Sequence, residues 1–425
     1  MTQTTDASTD TSTSDVSTTA IELQDERFIR PQGLKGHLDA AYSRVRKGDL
    51  GSLPVIVGLA IIWLVFQLMN PFFLSSANLV NLALECAAIG TIAIGVVLVL
   101  LVAQIDLSIG SISGVASAIL AVGFTQHGWP LWLGVAAGIA AGAVVGYLYG
   151  LVYARFGVPT FVITLAGLMA VLGFQLWILG TNGSINLPFD SWLVRFAQQL
   201  FLPPVVSYIL VVVAVAVYGG SAYLNARKRA AAGLMGTSTA TIIVTTVALL
   251  VGLGVLTWYL NLSRGVGVMF MVFVLFVVVT NYALVRTKWG RAVYAVGGSV
   301  EAARRAGINV NRIFISCLVL GGAFAAIGGV FAAGRLASAG VSSGGADTNL
   351  MAIAAAVIGG TSLFGGRGSA WSALLGIVVI QSIANGLTLL SLDTSVRYMV
   401  TGAVLLLAVV IDSLSRRSRA IHGQA

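Results

Sequence analysis

Apolar runs long enough to cross a lipid bilayer follow one another almost without pause from Leu53 to Asp412. A spanning helix needs roughly 18–20 apolar residues, because each adds about 1.5 Å of rise across a hydrocarbon layer about 30 Å thick. The runs are solid, not striped, so they are not amphipathic helices laid on a soluble core. Twelve are read: Leu53–Met69, Leu79–Val102, Ser108–Phe124, Pro130–Ala154, Thr160–Leu179, Pro204–Leu224, Thr239–Leu260, Val266–Val285, Ile313–Gly334, Asn349–Leu363, Ala370–Leu390 and Val396–Asp412. The short Asn349–Leu363 and the Gly/Ser-rich Ser108–Phe124 are candidates for broken or re-entrant segments. Charged residues make up only 9% of the chain, against about 25% in soluble domains. The expected fold class is therefore all-α, a polytopic transmembrane bundle of about 12 helices.

The expected organisation is a disordered cytoplasmic tail at 1–50, a membrane domain at 51–413 and a cytoplasmic tail at 414–425. Met1–Ala20 is rich in Ser, Thr and Asp and has neither the basic start nor the apolar core of a cleavable signal. A net charge of +9 would suit nucleic acid, but the basic residues cluster between apolar runs, where they set membrane orientation instead. With the N-terminus inside, all of the 24 Lys and Arg except Arg195, Arg264, Arg335 and Arg397 fall on the inner side. That split predicts an even helix count with both termini cytoplasmic. The 50 glycines suit close helix packing in lipid. Cys86 and Cys317 both lie inside apolar runs, which argues against disulfides and a zinc site. His37, His127 and His422 are scattered, and no nucleophile–base or metal-ligand constellation appears. No enzyme activity and no cofactor or metal held by this chain are expected.

Three stretches stand out. In the inner loop 286–312, Ser299 is a good N-cap, Glu301 suits the positive end of a helix, Ala302, Ala303 and Ala306 favour helix, and Gly307 is a natural stop. This predicts a short helix over Val300–Ala306, marginal on its own and in need of a surface. Either it docks into a groove on a partner, its small side chains suiting insertion, or the loop is a basic linker that only fixes orientation. The second stretch is Gln104-Ile-Asp-Leu-Ser-Ile-Gly-Ser-Ile-Ser-Gly114. Asp106 near the membrane must be solvated, by lining a cavity at a broken helix or by capping the helix that follows, a role open also to Ser108. The third, Ile358-Gly-Gly-Thr-Ser-Leu-Phe-Gly-Gly-Arg-Gly-Ser369, lacks the Lys of a phosphate loop. It reads as a tight inner turn at Gly365, Gly366, Arg367 and Gly368, and its Gly/Ser tract loosely echoes that around Asp106. Glu85, an acid within an apolar run, is either functional or merely close to the outer interface. Glu85, Asp106, Ser108, Gly110, Ser111, Thr361 and Asn385 are the candidates for a translocation path or gate.

Together, Ile105-Asp-Leu-Ser-Ile-Gly-Ser111, Phe156-Gly-Val-Pro-Thr-Phe-Val-Ile-Thr-Leu165, Tyr294–Asn309 and Ala354–Gly368 resemble the permease subunits of ABC importers for monosaccharides, the ribose/xylose/galactose type. The extra pair of runs around Pro204–Leu260 and Asn261-Leu-Ser-Arg-Gly265 look most like the D-xylose members. Gln104 before Ile-Asp departs from the Gly common in relatives, as does the Ser/Thr-rich tail. The resemblance implies a BtuC-like fold in the bacterial inner membrane and a second permease copy. It also implies a cytoplasmic ABC ATPase that holds ATP and Mg2+, and an extracytoplasmic sugar-binding protein. It places ATPase coupling on Gly297, Gly298, Ser299, Val300, Glu301, Ala302, Ala303, Arg304, Arg305, Ala306, Gly307 and Ile308. The outer loops Gly180–Pro203, Arg335–Thr348 and Ser391–Val396 would receive the binding protein.

Overall fold

A computed structural model describes residues 53–232, 238–396, 398–403, 406 and 410. Both expected tails lie outside the described residues, as do Arg397 and about half of the run Val396–Asp412. The chain divides into two compact units. One takes in residues 213–250, and the other takes in the rest of the described chain.

The larger unit is built on α1 (Leu53–Met69), α2 (Ser76–Leu101), α3 (Ile109–Thr125), α4 (Leu131–Phe156) and α5 (Thr160–Leu179). It also holds the start of α6 (Pro204–Ala231) and the end of α7 (Thr239–Asn261), while the later part of α6 and the earlier part of α7 fall in the second unit. Then come α8 (Val268–Arg286), α9 (Lys288–Gly298), α10 (Val300–Arg305), α11 (Val310–Leu336), α12 (Ala346–Ile358) and α13 (Trp371–Leu389). Among the described residues eight helices are long and apolar enough to cross a membrane, and α1, α3 and α12 are shorter apolar helices.

The core is α2, whose most apolar stretch is 89% buried. Small residues bring its neighbours to backbone contact. A Cβ on Gly95 of α2 would lie 2.7 Å from the Gly321 carbonyl oxygen of α11. On α4, Gly134, Gly138, Gly142, Gly146 and Gly150 recur every fourth residue and so form one stripe along the helix. Its lower part lies on α11, where a Cβ on Gly146 would meet the Leu318 carbonyl at 2.2 Å. With apolar solvent on the outside, such close packing replaces hydrophobic exclusion as the force between helices. Cys86 and Cys317 are free thiols, both buried in this packing.

Three expectations change. The inner loop 286–312 is not a loop: α9 precedes the short helix, started by Thr287, whose Oγ1 accepts from Gly290 N at 3.1 Å. The short helix stops at Arg305, one residue before the expected end. Asn349–Leu363 is shifted, since α12 begins at Ala346 and stops at Ile358, just ahead of Gly360 with its φ of 103°. Among the described residues the all-α expectation holds apart from an antiparallel pair, β1 (Ser184–Asn186) with β2 (Ser338–Gly340), in the register Ser184↔Gly340, and an isolated bridge between Phe201 and Gly267. This pair joins two stretches expected as separate loops, Gly180–Pro203 and Arg335–Thr348. The first also holds helical turns over Trp192–Val194 and Arg195–Gln199.

Gly146→Ala tests the packing. It is expected to cost about 1–3 kcal/mol through overpacking, whereas Gly173→Ala, with nothing within 4 Å of its new Cβ, is expected to be neutral or stabilising by up to about 1 kcal/mol. Thermal unfolding of the purified variants reads the difference.

Candidate functional site

Where α2 ends, the chain does not run straight into α3. Val102–Ser108 is non-helical, with Ala103 in the left-handed region at φ 58°. A Cβ on Gly329 of α11 would lie 2.0 Å from the Ser113 carbonyl of α3, and Gly329 stands about 28 Å along α11 from Val310. Near the Val310 end of α11, by contrast, the Leu101 end of α2 meets Gly297 and the turn after α12. Helix α3 therefore starts part-way up the bundle. Helix α12 starts at the same depth, since Asn349 Nδ2 donates to Leu107 O at 2.7 Å and a Cβ on Gly344 would lie 2.1 Å from Gly110 O. Two half-helices thus meet N-terminus to N-terminus and run apart. The counterpart of the Asp106 tract is Val341–Asn349, not the Ile358–Ser369 tract that echoes it in sequence.

Asp106 is buried at this break. Its Oδ1 accepts from Ser108 N at 2.8 Å and from Ser108 Oγ at 2.7 Å. The break is therefore held by a local turn on Asp106, which takes the amide of the residue before α3 and does not cap the helix itself. Ser108 itself stands at the N-cap position of α3 without a side-chain capping bond. Ser111 Oγ donates to Ser108 O at 2.8 Å, and Gly110 is the small residue that lets Gly344 and Asn349 approach. Leu107 N donates to Thr164 Oγ1 at 3.1 Å, and Thr160 donates to the side chain of Gln104. The departure at Gln104 thus has a partner of its own.

Beside this junction lies a cavity of about 140 Å³, lined among others by Glu85, Ser113, Ser117, Arg335, Gly344 and Gln381. Glu85, about 24 Å from Leu101 along α2, is held on three sides. Its Oε1 accepts from Arg335 Nη2 at 2.7 Å, and its Oε2 from Gln381 Nε2 at 3.1 Å and Asn385 Nδ2 at 3.4 Å. Asn385 Oδ1 accepts in turn from Asn78 Nδ2 at 2.8 Å. One carboxylate ties α2 to α11 and α13, and the ion pair is sheltered, with Arg335 30% and Glu85 19% exposed.

At the other end of α2, the Leu101 carbonyl accepts from Gly366 N at 2.9 Å, and a Cβ on Gly297 would lie 1.8 Å from that same oxygen. Gly365, Gly366 and Gly368 all have positive φ, so the tight turn is present. Arg367 is exposed, and its carbonyl accepts from Ser362 N at 2.9 Å. Tyr294 of α9 donates to Gly368 O at 2.8 Å. Burial pushes its phenol above the ordinary range, so it remains a donor at neutral pH. Thr361, also buried, lies against Gly368 here and away from the Glu85 cavity.

Helix α10 continues from Gly297 and Gly298. Ser299 Oγ accepts from Ala302 N at 3.2 Å, Glu301 pairs with Arg304 at 3.1 Å, and Gly307 closes the helix at φ 79°. Ala302, Arg304, Arg305, Ala306 and Gly307 are exposed, Val300 and Ile308 half-buried, and Ala303 buried against its own chain. The reading that the alanines all face a partner is corrected at Ala303, which anchors the helix from below.

The family described as branched-chain amino acid transport system / permease component matches residues 78–409. The chain belongs to this permease family. It is 35% identical to the xylose transport system permease protein of Escherichia coli over 88% of this chain and 95% of that one. A xylose transport system permease protein of Haemophilus influenzae is 34% identical over 85% of this chain and 96% of its own. The ribose import permease protein of Bacillus subtilis is 31% identical over 86% and 94%. No solved structure matches.

Of the residues around Glu85, Asn385 was already a candidate from the sequence, whereas Arg335 and Gln381 were not. Arg335 reads there only as an outer cation. The signal for Gln381 was its place four residues before Asn385 on an apolar helix, since that spacing puts both amides on one face.

Glu85→Gln and Arg335→Gln are each expected to lower stability by about 1–3 kcal/mol, and the double variant by less than their sum, a coupling of about 1–2 kcal/mol. Unfolding of all four proteins under one condition gives the cycle. Asp106→Asn keeps an oxygen able to accept both Ser108 bonds and is expected to insert and transport near the parent level. Asp106→Ala is expected to lose about 1–2 kcal/mol of stability. Loss of transport in the Asn variant at matched expression would assign the charge itself a role.

Proposed function

We propose that this chain is the membrane-spanning permease subunit of an ATP-driven ABC importer that carries a monosaccharide, D-xylose first among candidates, into the cytoplasm. The observation that carries this reading is the similarity to xylose permeases along nearly the full length of both chains. The matches named for ribose and fructose leave other sugars as the second choice. Chemistry fits the class: hydroxyl and amide side chains wall the cavity beside Glu85, and such groups exchange hydrogen bonds with sugar hydroxyls.

In this reading about twelve helices span the inner membrane in a BtuC-like arrangement, with both termini and the Leu101 end of α2 on the cytoplasmic side. Two copies form the permease. Two cytoplasmic ATPase subunits bind ATP and Mg2+, and an extracytoplasmic binding protein delivers sugar onto the β1–β2 platform and its neighbouring loops. Helix α10 offers Ala302, Arg304, Arg305 and Ala306 to the ATPase. ATP favours the closed ATPase dimer and so supplies the differential affinity that a conformational shift requires. Displacement of α10 passes through Gly297 to the Leu101 carbonyl and along buried α2 towards Glu85. There the hold on α11 and α13 is exchanged as the open side changes. A stand-alone, ion-coupled transporter would need more intramembrane carboxylates than Glu85 and Asp106.

Ala302→Glu, on the exposed face of α10, is expected to insert normally yet reduce sugar-stimulated ATP hydrolysis at least about tenfold, through one unpaired charge at a docking surface. Unchanged hydrolysis in the reconstituted importer would remove the docking role. Xylose uptake that needs the ATPase and a binding protein is the companion result. Uptake driven by an ion gradient in the chain alone, or of a branched-chain amino acid instead of a sugar, would overturn the assignment.

A further inference from the structure

Most of the described residues between 213 and 250 are exposed. The most apolar stretch of α7 is 6% buried, against 89% for α2. Val213, Val217, Tyr223 and Leu224 of α6 and Ile243, Val244 and Val247 of α7 are all exposed. A helix pair so clothed in aliphatic side chains is solvated by acyl chains. A cleft of about 500 Å³ separates the helices, lined by residues that include Tyr218, Asn225, Lys228 and Arg229 of α6 and Thr241 and Thr245 of α7.

Three features give this cleft one sign of charge. Lys228 and Arg229 occupy the last turns of α6 and border the cleft. The first turns of the 23-residue α7 form the facing wall, so the positive end of its dipole opens there. No Asp or Glu is among the residues that line the cleft. Amide and hydroxyl groups supply further bonds. A phosphate with hydroxyls attached fits this chemistry, and two acyl chains beneath it would lie along the exposed valines.

We propose that the cleft between α6 and α7 binds the headgroup of an anionic phospholipid. Orientation alone does not account for it. A basic residue that only sets topology works from any exposed position near the membrane, and Arg227 is such a residue: it shares the turn with Lys228 and Arg229 but does not line the cleft. The pair would serve as a lipid-holding appendage, distinct from the translocation path and independent of which sugar is carried.

The test is native mass spectrometry of the full-length protein in detergent, titrated with phosphatidylglycerol or with phosphatidylcholine of the same acyl chains. The parent protein is expected to retain one phosphatidylglycerol at about tenfold lower lipid concentration than phosphatidylcholine, on the scale of two basic contacts. The Lys228→Ala/Arg229→Ala variant is expected to lose that preference, and Arg227→Ala to keep it. Circular dichroism on each variant checks that the helices persist. An equal loss in Arg227→Ala would overturn the site in favour of general surface attraction. Equal retention of phosphatidylcholine would reduce it to apolar contact. Displacement by millimolar inorganic phosphate would make it a free-anion site and overturn the lipid assignment.

Discussion

Inside a bilayer no water is at hand for the backbone, so every N–H and C=O freed by a broken helix must find a partner within the protein. The α2–α3 break is organised by that requirement. Asp106 takes the Ser108 amide, Thr164 takes the Leu107 amide, and Asn349 donates to the Leu107 carbonyl. Because these partners come from α5 and α12, the break fixes where both of those helices sit. The meeting of two half-helix N-termini follows, and with it the floor of the cavity beside Glu85. A polar pocket is thus created in an apolar bundle from groups that the fold must satisfy in any case.

A second consequence concerns α2. Glycine contacts strip away the side chains that would hold neighbours apart, so its backbone touches α11 at Gly95 and meets Gly297 and Gly366 at Leu101. Contacts between backbones are stiff, since there is no rotamer to yield. A displacement at Gly297 cannot be absorbed by a side chain and must move Leu101 or the turn after α12. At the far end the Glu85 ion pair is of another kind. It is partly hydrated, made by flexible groups, and able to break and re-form. The helix therefore joins a rigid contact at one end to a breakable one at the other.

Much of this was legible in the sequence, for physical reasons that differ by element. Helices α1 and α5 end where their apolar runs end because Met69 precedes an Asn-Pro step and Leu179 precedes Gly180, both strong stops. Capping at Ser299 and Gly307 was readable because caps are local. Helix α9 was not, because its amphipathic pattern is short and its Lys and Arg read as linker charge. The β1–β2 pair joins segments more than a hundred residues apart, and nothing local announces it. The burial of Ala303 depends on how α10 lies on the bundle, which spacing within six residues does not settle. For the same reason Glu85 could be flagged while its partner Arg335, far along the chain, could not.

Cys86 and Cys317, the chain's two thiols, are both sealed within helix packing. The protein is thereby its own blank for thiol chemistry. A soluble maleimide meets no native thiol in the folded state, so a single cysteine placed on α10, on the β1–β2 platform or at the α6–α7 cleft becomes the one addressable position. Distances and accessibilities across the transport cycle can then be followed with spectroscopic labels while the interior keeps its natural packing.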